Sequence, residues 1–286
     1  MSKKPAFTRS ARYQRWAYDI IPHIILIGYA IIAMYPIVLI VVNSLKSRAG
    51  IFGEPYALPN AKTFSTIGYN TVFSYASFGT YFLNSLIVTV ASLLLILLTG
   101  AMAAFALSEY QFRGNTIVAL FLAIGIMIPI RLGTVGILRI IVSLGLANKL
   151  LGLILVYIAQ GLPLTIFILT NFMRHVPIEL KDAARIDGAS EYRIFRMILP
   201  LVRPALGAIG IFTLIPIWND LWFPLILAPS NETATVTLGV QQFLGQFVSD
   251  WNAVLASLTL AMIPVLALYV IFSRQMVRSI TAGALK

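Results

Sequence analysis

The sequence contains no cysteine and only two histidines, and acids are scarce, with ten Asp and Glu against 21 Lys and Arg. Without thiols there is no disulfide scaffold and no thiolate metal site. Two distant histidines, His23 and His175, do not make an imidazole site either. Charged residues make up 11% of the chain, where a soluble domain carries about a quarter. No stretch reads GxxxxGKS or GxxxxGKT, so nucleotide binding through a phosphate-binding loop is excluded. These shortages together rule out a soluble enzyme, a disordered chain and a disulfide-built secreted module.

What is there instead is hydrocarbon. Of the 286 residues 59% are hydrophobic, and the mean hydropathy is +0.89. A membrane-spanning helix needs about 20 mostly apolar residues. Six stretches qualify, near 20–42, 81–107, 116–130, 151–173, 205–228 and 252–273. The first follows 19 residues and is too long for a signal peptide, so it reads as a retained helix. The pattern predicts an all-α integral membrane protein with six transmembrane helices. Placing the N-terminus inside puts 15 of the 21 bases in cytoplasmic segments. Lys46, Arg48, Lys62, Arg131, Arg139 and Lys149 remain outside. That bias predicts an N-in, C-in multi-pass protein of the cytoplasmic membrane. It also accounts for the net charge of +11 without nucleic acid. The expected organisation is a cytoplasmic segment 1–19, a transmembrane domain 20–273 and a cytoplasmic tail 274–286.

Within the spans charge is nearly absent, Asp220 being the exception among the acids. An ion-coupled carrier places carboxylates or histidines inside the membrane. No internal repeat relates the two halves. The chain therefore reads as a pathway without an energy source of its own, and no cluster of catalytic groups lies at one depth.

One cytoplasmic loop is too long for a simple connection. Residues 174–204 read RHVPIELKDAARIDGASEYRIFRMILPLVRP. Pro177 suits a helix start, 178–187 are good helix formers, and Gly188 suits a left-handed stop. Ser190 can cap a second helix, with Tyr192, Phe195 and Leu199 on one face. Pro200 and Pro204 mark the entry to the next span. From the residues alone two uses stand open. One is an anchor at the lipid surface; the other is a knob for a cytoplasmic partner, which the small Ala183-Ala184 pair suits better than it suits lipid.

The spacing Asp182-Ala183-Ala184, three residues, Gly188, then Leu199-Pro200 resembles the EAA loop of ABC importer permeases. The stretches FGTYFLNSLIVTV (78–90), ARIDGAS (184–190), WNDLWFP (218–224) and TAGALK (281–286) resemble the second permease subunit of maltose-type sugar importers. Asp182 stands where the family has Glu, and the interval from Gly188 to Leu199-Pro200 is one residue shorter than the family pattern. The resemblance implies a type I importer permease fold. It implies that Asp182, Ala183, Ala184, Ile186, Asp187 and Gly188 form the coupling helix seated in an ATPase subunit. It further implies a second related permease, two ATPases that bind ATP and Mg, and an external sugar-binding protein. This chain then needs no cofactor or metal and hydrolyses nothing. A non-sugar solute, or a self-sufficient secondary carrier, is the competing expectation.

Trp218, Asn219, Asp220 and Trp222 are the candidates for the substrate pathway. Aromatic rings stack on sugar C–H faces while Asn and Asp bond hydroxyls. An acid inside a span is costly and points to function, although Trp222 also suits an interfacial belt. Pro129, Pro163, Pro216, Pro224 and Pro264 interrupt spans as kinks or cavity walls. Gly100 and Ala104 form a small-xxx-small packing pair, and Asn84 suits hydrogen bonding between elements. The external segments 44–80 and 229–250 are candidate docking surfaces for the binding protein.

Overall fold

The computed structural model describes residues 9–74, 77–244 and 249–284, with side chains for 20–74, 77–244 and 249–270. The side chains of the expected N-terminal segment 1–19 and of the TAGALK ending lie outside the described residues. Among the described residues there is no β-strand, and Lys46 and Phe64 form an isolated bridge. The chain divides into two compact units, Met1–Val72 with Ser249–Thr259, and Phe73–Val248 with Leu260–Lys286.

The first unit is built on α1 (Arg9–Ser44), α2 (Arg48–Gly53) and α3 (Ile67–Ser74). Ile24, Ile25, Ile31 and Ile32 on α1 are exposed, as hydrocarbon-facing side chains are. The helix ends where side chains take over its carbonyls. Asn43 Nδ2 donates to Leu39 O and Pro55 O, both at 2.9 Å. The wholly buried Lys46 donates through Nζ to Asn43 Oδ1 at 3.0 Å and Glu54 O at 2.7 Å. A cation at a helix C-terminus meets the negative end of the dipole. Ser47 Oγ accepts from Gly50 N and caps α2. Asn252 Nδ2 then donates to Lys46 O at 2.6 Å, and Trp251 sets its ring edge-on to Phe52. The described part of the long 44–80 segment, 44–74, thus carries two helices of its own.

The second unit runs α4 (Phe78–Glu109), α5 (Asn115–Met127), a 3-10 turn (Ile130–Gly133), α6 (Thr134–Ser143) and α7 (Leu150–Arg174). It continues with α8 (Ile178–Ile186), α9 (Glu191–Ile198), α10 (Arg203–Trp218), α11 (Trp222–Leu227), α12 (Val236–Gln241) and the later part of α13 (Trp251–Ala284). Its centre is α4 against α7, joined over small residues. Ala101 and Ala104 are buried, and a Cβ on Gly100 would lie 2.5 Å from Thr165 Cγ2. Backbones approach closely in this way when lipid gives no hydrophobic drive between helices. Gly100→Val is expected to destabilise the chain by about 1–3 kcal/mol through overpacking. A lowered melting point of the detergent-purified protein checks this. Pro163 on α7 faces Gly125 on α5, whose Cβ would sit 3.3 Å from the ring, so this proline packs.

Among the described residues four helices are each long and apolar enough to cross a membrane, and counting two bent pairs, Asn115–Met127 with Ile130–Ser143 and Glu191–Ile198 with Arg203–Trp218, as spans gives six. The sequence expectation fails at two breaks, the first of these bends and a separate interruption after Trp218. The apolar run 116–130 becomes a 13-residue α5 that turns by 90° at Ile128-Pro129 into the next segment. The expected continuous span 205–228 stops at Trp218 and restarts at Trp222. Pro216 supplies no N–H to the preceding turn, and Asp220 takes the first N–H groups of α11, as described below.

Candidate functional site

The 174–204 segment folds as two short helices. Pro177 immediately precedes α8, and Gly188 follows it at φ +76°. Gly188 N donates to Arg185 O and Ala189 N to Ala184 O, at 3.0 and 2.9 Å. This is the Schellman closure, which requires a left-handed residue and so favours glycine. Ser190 begins α9 through its backbone, its O accepting from Arg193 N and Ile194 N.

The two helices are held differently. On α9 the buried face is Ile194, Phe195 and Ile198, against Ala101, Ala104 and Phe105 of α4 and Leu169 and Met173 of α7. Phe195 meets Phe105 at 5.5 Å between ring centroids. The face expected from sequence is therefore turned. Tyr192 is exposed and lies under the Arg196 guanidinium. Each fully buried Ile contributes about 2 kcal/mol.

On α8 the buried residue is a lysine. Lys181 Nζ lies 2.6 Å from Glu109 Oε1 at the end of α4, with side chains 6% and 5% exposed. Arg185, one turn along, reaches Glu109 at 3.5 Å, Asp182 at 3.0 Å and Glu191 at 3.1 Å. Tyr110 donates to Glu191 Oε2 at 3.0 Å. The Arg185 guanidinium holds the Glu191 carboxyl below the usual carboxylate range, while burial raises the Tyr110 phenol. The Glu191 contribution is in place at neutral pH and fades as acid carries that group through its depressed pKa.

Among the expected coupling residues Asp182, Ala183, Ile186, Asp187 and Gly188 are exposed. Ile186 is 86% exposed, an apolar side chain at the tip of the loop. Ala184 differs, being half-buried against the core cluster. Successive helix residues point about 100° apart, so Ala183 and Ala184 do not share one face. Sequence reasoning missed Glu109, Tyr110, Lys181, Arg185 and Glu191. One signal was present: Glu109 ends a helix, where an acid opposes the dipole and calls for cations.

The second candidate stretch lies between α10 and α11. Trp218 is 3% exposed, donates Nε1–H to Ala261 O at 3.1 Å and meets Phe82 edge-on at 5.7 Å, so its ring belongs to the packing. Asp220 is not a bare carboxylate within a helix. Its Oδ1 accepts from Trp222 N and its Oδ2 from Phe223 N, both at 3.2 Å, starting α11. Tyr157 on α7 donates to Oδ2 at 2.9 Å, and Arg131 lies 3.6 Å from Oδ1. Asn219 and Trp222 are exposed, with Trp222 Nε1 donating to Thr134 Oγ1 at 3.0 Å. Of the four candidates, then, Asn219 and Trp222 present surface.

The first turns of α4 hold the following external segment. Asn84 Nδ2 donates to Glu232 O and Ala234 O, at 2.8 and 3.0 Å. Ser85 Oγ accepts from Val236 N at 2.8 Å, and Tyr81 donates to Gln242 Oε1 at 2.9 Å.

The chain is 32% identical over 281 residues to the diacetylchitobiose uptake system permease protein NgcG of Streptomyces coelicolor, covering 97% of this chain and 92% of that one. It is 30% identical over 254 residues to the probable starch degradation products transport system permease protein AmyC of Thermoanaerobacterium thermosulfurigenes, covering 88% and 91%. It shares its fold with a chain from the crystal structure of a bacterial ABC transporter involved in the import of the acidic polysaccharide alginate. That likeness has a TM-score of 0.78 at 23% identity and covers 96% of this chain and all of the other. Residues 96–282, from mid-α4 through the two-helix loop to the last helix, match the family described as binding-protein-dependent transport system inner membrane component, and the chain belongs to it as a membrane permease subunit.

Proposed function

We infer that this chain is one of two related permease subunits of an ABC importer that moves a sugar across the bacterial inner membrane by alternating access. The observation that carries the coupling half of this reading is the exposed face of α8, Asp182, Ala183, Ile186 and Asp187, closed by Gly188. A short, rigid, exposed helix with an apolar tip suits a groove on a cytoplasmic ATPase. The sugar half is supported by the relatives, whose names specify diacetylchitobiose and starch degradation products. ATP and Mg belong to the two ATPases in this scheme, and this chain carries no cofactor. Closure of the ATPase pair biases two rigid-body states of the permeases. An external binding protein delivers the sugar, and the 44–74 and 229–244 segments are the surfaces offered to it. Asn219 and Trp222 are the pathway contacts that remain after packing has taken Trp218 and Asp220.

The test is purification in mild detergent with mass spectrometry, then an ATPase assay. The expected result is co-purification of a second permease and an ATPase, with hydrolysis stimulated by a sugar-loaded binding protein. A chain that purifies alone and transports in liposomes overturns the reading.

A further inference from the structure

The helix that bears the exposed coupling face is fastened to the rest of its unit chiefly by charge. Its buried residue is Lys181, and its half-buried ones are Ala184 and Arg185. Lys181 and Arg185 are four residues apart and so share the inner face of α8. Both point to Glu109, the last residue of α4. Lys181 Nζ also lies 3.4 Å from Met173 O, near the end of α7. Arg185 then joins this inner contact to the outer face, because the same guanidinium holds Asp182. By contrast α9 has a full apolar face in the core, and the Schellman turn at Gly188 separates the two helices.

An ion pair so placed does something that apolar packing does not. A buried pair adds little net stability over well-packed apolar groups, but it fixes geometry, and losing one partner strands the other charge. A 2.6 Å contact between two buried charges cannot open without stranding both of them. We propose that Glu109 is a positioning residue that transmits displacement of α8 to the end of α4 through Lys181 and Arg185, so that the ATPase stroke reaches the membrane-spanning helices. The proposal deepens the reading above and rests on α8 being the ATPase contact.

The test uses the assembled transporter in liposomes, with Glu109→Gln, Lys181→Met and the exchanged pair Glu109→Lys/Lys181→Glu. Both single variants are expected to assemble in reduced yield, with the basal ATPase rate per assembled complex kept, while sugar uptake per ATP hydrolysed falls about tenfold. The exchanged pair restores opposite charges between the two positions but sets a cation against Arg185, so it is expected to recover part of that ratio. A second readout does not depend on turnover. The natural chain lacks cysteine, so Ile186→Cys takes a single spin label, and its mobility is expected to rise in the Glu109→Gln background. Unchanged uptake per ATP in both single variants overturns the proposal. So does a loss of uptake that comes entirely from failed assembly, since Glu109 would then serve docking or folding. If the unmodified complex shows no sugar-stimulated hydrolysis, the underlying importer reading fails instead, which separates the two.

Discussion

Gly188→Pro is expected to abolish transport while leaving the membrane-spanning helices folded. Position 188 sits at φ +76°, and proline is locked near −65°. Proline also removes the N–H that Gly188 donates to Arg185 O, and it disfavours helical backbone at Asp187. The last turn of α8 would unwind, carrying Arg185 away from Glu109, Asp182 and Glu191 together. The local cost is about 3 kcal/mol or more. Gly188→Ala separates backbone strain from contact. A Cβ there meets nothing within 4 Å, so alanine costs only its left-handed conformation, about 1–2 kcal/mol. Uptake is expected to survive in the alanine variant and vanish in the proline variant, with circular dichroism showing the membrane-spanning helices retained in both. Normal uptake in the proline variant would remove α8 from the coupling path.

Much of that loop was legible in the sequence because its signals are local. A helix start after Pro177 and a stop at Gly188 need only neighbouring residues, and both occur where the sequence placed them. The long apolar helices are legible for a related reason, since hydropathy accumulates along the chain. Hydropathy does not say where an apolar helix ends. The break after Trp218 depends on Pro216 and on the Asp220 carboxylate outcompeting a continuing backbone ladder. The right-angle turn at Ile128-Pro129 was hidden in the same way inside an unbroken apolar run. The turned face of α9 has another cause. Ile194 and Ile198 compete with Tyr192 and Leu199 for burial, and the pocket beside Phe105 decides between them. Least legible were pairs remote in sequence. Glu109 and Lys181 are 72 positions apart, and Tyr157 and Asp220 are 63 apart. No periodicity links such partners; only the packing of α4, α7 and α10 brings them together.

Asp220→Ala is expected to destabilise the chain strongly, through lost hydrogen bonds rather than lost packing. A carboxylate offers about four acceptor positions, and here Trp222 N, Phe223 N, Tyr157 Oη and Arg131 approach them. Three of those contacts are hydrogen bonds, and together they make Asp220 the pin between α7 and α11. Losing the cap costs about 1 kcal/mol. Leaving the buried Tyr157 hydroxyl without its acceptor costs about 1–3 kcal/mol more. Arg131 is 67% exposed and loses little. The total, about 3 kcal/mol, reads directly as a lowered melting point of the purified complex. Tyr157→Phe is expected to cost only about 1 kcal/mol, because the two backbone bonds to Asp220 persist. The double variant is expected to cost less than the sum, as groups sharing one contact do not add. Asn219→Ala and Trp222→Ala supply the contrast. Both residues are exposed, so their melting points are expected to hold while the profile across several sugars changes. A shifted sugar profile in Asp220→Asn at an unchanged melting point would return Asp220 to the pathway and make its hydrogen bonds a resting arrangement that sugar displaces.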